Sequence, residues 1–366
     1  MPLITHHASP FVASWPPDGH LQTILPSTKR KVVQDATQIQ TKRERLFTPD
    51  NDFLDLDWYR HRTDSNTRPL LVVLHGLEGS SQRHYVQGLV KLFTKNNWDA
   101  LGYNCRSCSG ELNQQARFYH HADSADLHCV LDYVCAQTNY KHIFLAGFSM
   151  GGNIAAKYLA EKEQHFPAQI IGAMGVSCPF WLEDCALALE TAPNMLYNKK
   201  FVKSIVQKAL QKKQMMPERF LVSSEALQAA KTCRDVDKLI TVPYGGFKSP
   251  QDFYAQGSMG THIARVKVPF LLLQALNDPF LPLSCYPQEL AQKSDRFFLE
   301  ICPQGGHVGF MVKNEEESYA ETRALRFAEA CLHNDFTHFQ NTAPILHPRK
   351  PFSAMNVLLT LKQWLG

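Results

Sequence analysis

No uninterrupted apolar stretch in these 366 residues reaches the roughly 18 needed to cross a bilayer. The opening Met1-Pro2-Leu3-Ile4-Thr5-His6-His7 has no basic segment leading into an apolar one, so it does not read as an export signal, and the expected compartment is the cytoplasm. Charge of one sign is scarce too. Thirty-eight Lys and Arg against 34 Asp and Glu leave a net charge of +4, too small an excess to imply a nucleic-acid partner. Internal repeats and low-complexity tracts are absent. So is a glycine-rich phosphate loop: Gly76-Leu77-Glu78-Gly79 lacks both the third glycine and the Gly-Lys-Ser/Thr ending. The ten cysteines lack a pattern. Cys105-Arg106-Ser107-Cys108 is a C-x-x-C, but no second ligand pair follows at zinc spacing, so free thiols are expected and no metal site.

What is present is a core. With 44% hydrophobic residues, the length allows two domains or one large α/β domain carrying an insertion. Residues 1–40, rich in Pro, Thr and Gln, read as an irregular arm over the domain. Phe53 to Trp58 alternates apolar with polar, as a half-exposed strand does, whereas Leu70-Leu71-Val72-Val73-Leu74 is a continuous apolar run, the mark of a strand buried on both faces. Helical spacing from Tyr85 to Asn96 is followed by a strand at Ala100–Tyr103. A helix at Ala122–Val134, a strand at His142–Ala146, a helix at Asn153–Glu163 and a strand at Ile170–Val176 repeat the alternation. It breaks over residues 179–265, which are helical and polar, and resumes with strands at Pro269–Ala275 and Arg296–Ile301 and a helix at Glu317–Leu332. The pattern predicts an α/β fold with a mostly parallel central sheet, helices on both faces and a helical lid inserted after the sixth strand. The expected segments are core 1–178, lid 179–265 and core 266–366.

Gly147-Phe148-Ser149-Met150-Gly151 is a G-x-S-x-G lying directly after a predicted strand and before a predicted helix, the context a nucleophile elbow requires. A serine hydroxyl is inert at neutral pH and needs a base, itself oriented by a third group. In this fold the chain order is serine, acid, histidine. Asp278, in Asn277-Asp278-Pro279, follows one predicted strand, and His307, in Gly305-Gly306-His307-Val308-Gly309, follows the last. Open α/β sheets build their sites at such strand ends. Ser149, Asp278 and His307 are therefore the candidate triad, although Asp278 alone could be a turn residue and His307 a loop histidine. Two oxyanion donors are expected at the backbone N–H groups of Met150 and Leu77. His75 is read as structural.

On Gly19-His20-Leu21-Gln22-Thr23, His75-Gly76-Leu77-Glu78-Gly79-Ser80, Asn104-Cys105-Arg106-Ser107-Cys108-Ser109-Gly110-Glu111, the Ser149 elbow, Asn277-Asp278-Pro279-Phe280 and the His307 segment, the sequence resembles the YheT-like α/β-hydrolases, family 4 of the superfamily. The resemblance implies cofactor-free carboxylesterase or acylglycerol-lipase activity on short- to medium-chain esters, with a small-molecule ester or lipid as partner. At Tyr119-His120-His121-Ala122-Asp123 the chain departs from the family's Tyr-His-Ser-Gly.

An alcohol O-acyltransferase would use the same acyl-enzyme, and a silent binding protein could share the scaffold. Aspartate-nucleophile relatives are disfavoured by the serine at the elbow. His121 and Asp126 form an H-x-x-x-x-D that also occurs in acyltransferases, but an aspartate opening a helix is explained by capping and the helix dipole. Within the lid, Lys199 to Lys213 holds six lysines and no acid, with Val202, Ile205, Val206, Ala209 and Leu210 on one face. A solvated basic face is expected, with peripheral contact to anionic lipid as the alternative.

Overall fold

In a computed structural model of the chain, residues 3–5, 18–63, 68–162 and 165–339 are described. Among them one sheet holds nine strands: β1 (Leu3–Thr5), β2 (Ile39–Phe47), β3 (Phe53–His61), β4 (Leu70–Leu74), β5 (Asp99–Asn104), β6 (Ile143–Phe148), β7 (Ile170–Val176), β8 (Phe270–Ala275) and β9 (Phe297–Cys302). Their spatial order is β1-β9-β8-β7-β6-β4-β5-β3-β2. Pairing is parallel from β1 through β5 and antiparallel at β5/β3 and β3/β2. Helices α1 (Gly19–Lys29), α2 (His84–Lys95), α3 (Ser124–Gln137) and α4 (Met150–Lys162) belong to the first part of the chain. Between β7 and β8 come α5 (Leu182–Leu189), α6 (Met195–Met215), α7 (Ser224–Ala229), α8 (Cys233–Val236), a π turn at Asp237–Thr241, α9 (Val242–Gly245) and α10 (Pro250–Gly257). Then α11 (Gln288–Gln292) precedes β9, and α12 (Tyr319–His333) follows it. With the short edge strand β1 set apart, the helical insertion leaves from the sixth strand.

The continuous apolar strands divide their side chains by the pleat. Leu70, Val72 and Leu74 of β4, with Leu272 of β8, join Leu127, Leu131, Ile154 and Leu159 of α3 and α4 on one face. Leu71 and Val73, with Leu271 and Leu273, join Val86, Leu89, Phe93 and Phe327 of α2 and α12 on the other. A period of two sends neighbours to opposite sides, so a strand that is apolar throughout needs both layers of helix.

Two expectations need correcting. The described parts of residues 1–40 are not irregular: they contain β1, α1 and the start of β2, while residues 1–2 and 6–17 lie outside the described residues. The glycine, the polar residues and Pro26 hide α1 in the sequence, yet Asp18 caps it by accepting from the Leu21 N–H at 2.8 Å. Nor is β3 half-exposed. Asp55 and Asp57 are buried, because β2 lies beside them and supplies Arg45 and Arg43, each bidentate to its aspartate. The ladder pairs Arg43 with Asp57 and Arg45 with Asp55 directly across the strands.

The Asn104–Glu111 segment ties this edge to the rest of the core. The Asn104 amide donates to Asp57 at 3.1 Å and accepts from the Ser81 N–H at 2.9 Å. Buried Arg106 bridges Asp52 at 2.6 Å, Asp50 at 2.8 Å and Asp126 of α3 at 2.7 Å. Cys105 and Cys108, flanking it, are buried, and burial pushes the Cys108 thiol up to about 12.

Candidate active site

The three side chains singled out in the sequence meet at the C-terminal edge of the sheet. Ser149 occupies the turn between β6 and α4 with φ +52°, a left-handed conformation that costs a non-glycine residue energy and is retained here by its surroundings. The Ser149 N–H donates to the Val176 carbonyl at 2.8 Å. Small residues make the turn possible: a Cβ on Gly147 would lie 2.3 Å from the Gly152 nitrogen. His307 Nε2 is 3.0 Å from Ser149 Oγ, and its Nδ1 is 2.9 Å from Asp278 Oδ2. The other carboxylate oxygen of Asp278 accepts from the Phe280 N–H at 2.9 Å, and the Phe280 ring lies 4.3 Å from the imidazole. The Asp278 carboxylate is wholly shielded from solvent.

Met150 opens α4, and Leu77 lies on the loop after β4. Among the described residues neither N–H donates to another group. The buried His75 braces this loop. Its Nε2 accepts from the Cys105 N–H at 3.1 Å, which leaves Nδ1 to donate to the Gly76 carbonyl at 2.8 Å. Burial lowers His75 to about 4, so the ring is neutral.

The sequence alone assigns no task to the Gly19–Thr23 motif. The structure does. Gln22 Oε1 accepts from Asn277 Nδ2 at 2.9 Å and from the Gly305 N–H at 2.8 Å, and Thr23 Oγ1 accepts from the His307 N–H at 2.8 Å. Helix α1 therefore clamps the acid loop and the histidine loop together. Its approach demands glycine at position 19, where a Cβ would stand 1.7 Å from the Asn277 carbonyl oxygen. The only available signal was the motif's length, since a helix interrupted by Pro26 has no clear apolar period.

A cavity of about 510 Å³ opens over Ser149 and His307 beneath the inserted helices. Leu182, Phe201, Val236, Ile240 and Phe253 contribute the insertion's apolar wall. His120 and His121, where the sequence departs from the family pattern, also line the cavity, and their rings pack edge-on against Phe253. Burial lowers both to about 3. Asp126 faces elsewhere: Arg106 holds it bidentately, which accounts for that aspartate structurally. Among the described residues no cluster of His, Cys, Asp and Glu could hold a metal ion.

A sheet of this order, an elbow at β6 and a covered cavity over it define an α/β-hydrolase. Residues 65–308 match the family described as serine aminopeptidase, S33. YheT of Escherichia coli (strain K12), which carries an esterase name, is 32% identical over 292 residues, 80% of this chain and 84% of that protein. Mouse phospholipase ABHD3 is 27% identical over 316 residues, 85% of this chain and 74% of its own. The monoacylglycerol lipase of Saccharomyces cerevisiae is 28% identical, covering 76% of this chain and 62% of its own. Among solved structures, the Pyrococcus furiosus esterase Pf2001 superposes with a TM-score of 0.52 at 16% identity, over 90% of this chain and 99% of that one. The chain belongs to the YheT-like branch of this α/β-hydrolase family.

Proposed function

We propose that the protein is a serine carboxylesterase or lipase acting on short- to medium-chain acyl esters, acylglycerols among them, through an acyl-enzyme on Ser149. The observation that carries this reading is the hydrogen-bonded chain Ser149–His307–Asp278 at 3.0 and 2.9 Å on the floor of a largely apolar cavity. In it, His307 Nε2 accepts the serine proton as Oγ attacks the ester carbonyl. Asp278 holds the proton on Nδ1, which fixes the tautomer, and stabilises the imidazolium that forms. The N–H groups of Leu77 and Met150 bind the oxyanion. The leaving alcohol then takes the proton from His307, and water resolves the acyl-enzyme by the same route in reverse. Residues 179–265 act as the lid, and their apolar wall favours substrates able to fill the cavity.

The test is hydrolysis of p-nitrophenyl esters of increasing acyl length by wild type and by Ser149→Ala. Turnover that peaks at one chain length and falls by a factor on the order of 10⁶, or to background, in the variant is the expected result. Equal rates from both proteins would remove Ser149 as the nucleophile and leave a binding protein on a hydrolase scaffold.

A further inference from the structure

Glu78, the neighbour of Leu77, has a left-handed backbone at φ +54° although it is not glycine. Such a conformation persists only where the surroundings over-determine it. The surroundings here come from two directions. From the core, the Tyr119 hydroxyl accepts from the Glu78 N–H at 2.8 Å and donates to its Oε1 at 2.6 Å. Arg83 donates to the Glu78 carbonyl at 2.7 Å. From the inserted helix α6, Lys208 Nζ donates to Oε1 at 2.9 Å and Ser204 Oγ donates to Oε2. The Glu78 side chain is only 8% exposed, so these charge-assisted bonds are made largely out of water. Glu78 and Ser204 also line the same cavity as Ser149. The Gly76 end of the loop is held separately, by His75 and by the Tyr85 hydroxyl, which accepts from the Gly76 N–H at 3.2 Å; the loop's own backbone adds one bond, from the Gly79 N–H to the Gly76 carbonyl.

We propose that Glu78 is a positioning residue that couples the seating of the lid to the aim of the Leu77 N–H, so that the oxyanion site is complete only while α6 rests on the core. The proposal rests on the reading of Ser149 as nucleophile and Leu77 as oxyanion donor. With α6 seated, Ser204, Lys208 and Tyr119 together fix the carboxylate, and the carboxylate fixes the strained backbone next to Leu77. With α6 lifted, two of those three side-chain donors leave with it. Tyr119 and the Arg83 bond to the Glu78 carbonyl then hold the left-handed residue without its lid-side donors, and the adjacent N–H is aimed less firmly. An oxyanion donor acts only when it is already aimed at the developing charge, so the loss falls on the chemical step and not on binding.

The experiment compares wild type, Ser149→Ala, Glu78→Gln, Glu78→Ala, the Ser204→Ala/Lys208→Met double variant and the triple combination with Glu78→Ala. Each is assayed on p-nitrophenyl butyrate, with active sites titrated by a fluorophosphonate. Glu78→Ala is expected to lower kcat per titrated site by about 30-fold or more, with KM within about 3-fold. Glu78→Gln, which keeps an acceptor for Tyr119 and Lys208, should recover to within about 5-fold of wild type. The lid-side double variant should lose about 5- to 10-fold, and combining it with Glu78→Ala should add nothing further, because both act through one carboxylate. A merely structural role would lower the titre of active sites and leave kcat per site unchanged. Glu78→Ala or the double variant within 2-fold of wild type per titrated site, or losses that multiply in the combination, would overturn the coupling. Should Glu78→Ala fail to fold, the double variant on α6 decides by the same criterion. Equal turnover by wild type and Ser149→Ala would overturn the nucleophile reading, and the proposal with it, by a different observation.

Discussion

Gly151 shows how tightly the elbow is built. A Cβ there would lie 2.4 Å from the Leu74 carbonyl oxygen and 2.8 Å from that of His75, both backbone atoms at the end of a central strand. Neither can retreat without disturbing the Gly76–Gly79 loop or the β4–β6 ladder. Gly151→Ala is expected to cost about 2–4 kcal/mol of stability and most of the turnover under the proposed function, read by thermal unfolding and by p-nitrophenyl ester hydrolysis. A variant with the wild-type midpoint and rate would show that the elbow is looser than its contacts imply. At this scale the candidate triad was legible because a strained serine at a strand-to-helix turn leaves a local signature of small flanking residues, and because strand ends tell where its partners stand. Gln22 and Thr23 were not legible in that way. Their hydrogen bonds reach the Asn277 and His307 loops across more than 250 positions of chain, and no spacing rule connects a glutamine to loops so distant.

Among the elements, α6 departs most from what its sequence suggests. Six lysines and no acid read as a solvated basic face, yet two of them point into the core. Lys208 meets Glu78, and Lys212, wholly buried, donates to Asn113 Oδ1 at 2.6 Å and to the carbonyls of Gln115 and Arg117 at 2.8 and 2.9 Å. Its Nζ also lies 3.9 Å from the centre of the Phe118 ring. Burial, against the opposing charge of Asp52, lowers Lys212 from 10.5 to about 7. Between those values the unfolded chain carries the proton and the folded chain does not, so this group makes stability rise with pH across that window. Lys212→Met removes that rise and takes the donor away from the buried acceptors around Nζ. Its midpoint should fall further below wild type as pH goes from 7 to 10, measured by thermal unfolding at fixed ionic strength. A difference that stays constant with pH would mean that Lys212 keeps its proton throughout.

Taken as one body, the molecule packs two layers of helix on a sheet and closes the site with helices anchored by buried polar groups. Several of its buried side chains are histidines kept neutral by burial. His75 and His84 are lowered to about 4, and His120 and His121 to about 3. Each binds a proton on unfolding below its ordinary 6.5, so stability is lost as pH falls from 6.5 towards 4. A steep decline of the thermal midpoint over that range is expected. His75→Gln, which can still donate to the Gly76 carbonyl and accept from the Cys105 N–H, should flatten it by about one proton's worth. An unchanged slope in the variant would place the acid sensitivity elsewhere.

The order of strands and helices, the parallel core and the candidate triad were set by local pattern: apolar runs, helical periods, and a serine between glycines at a strand end. Such features depend on near neighbours and survive being read one segment at a time. Burial of Asp55 and Asp57, the clamp by α1, and the inward turn of Lys208 and Lys212 were decided only when distant segments met. Each of these is a charged or polar group whose placement depends on a partner far along the chain. A charge reads as solvent-exposed until the fold delivers the group that pairs with it.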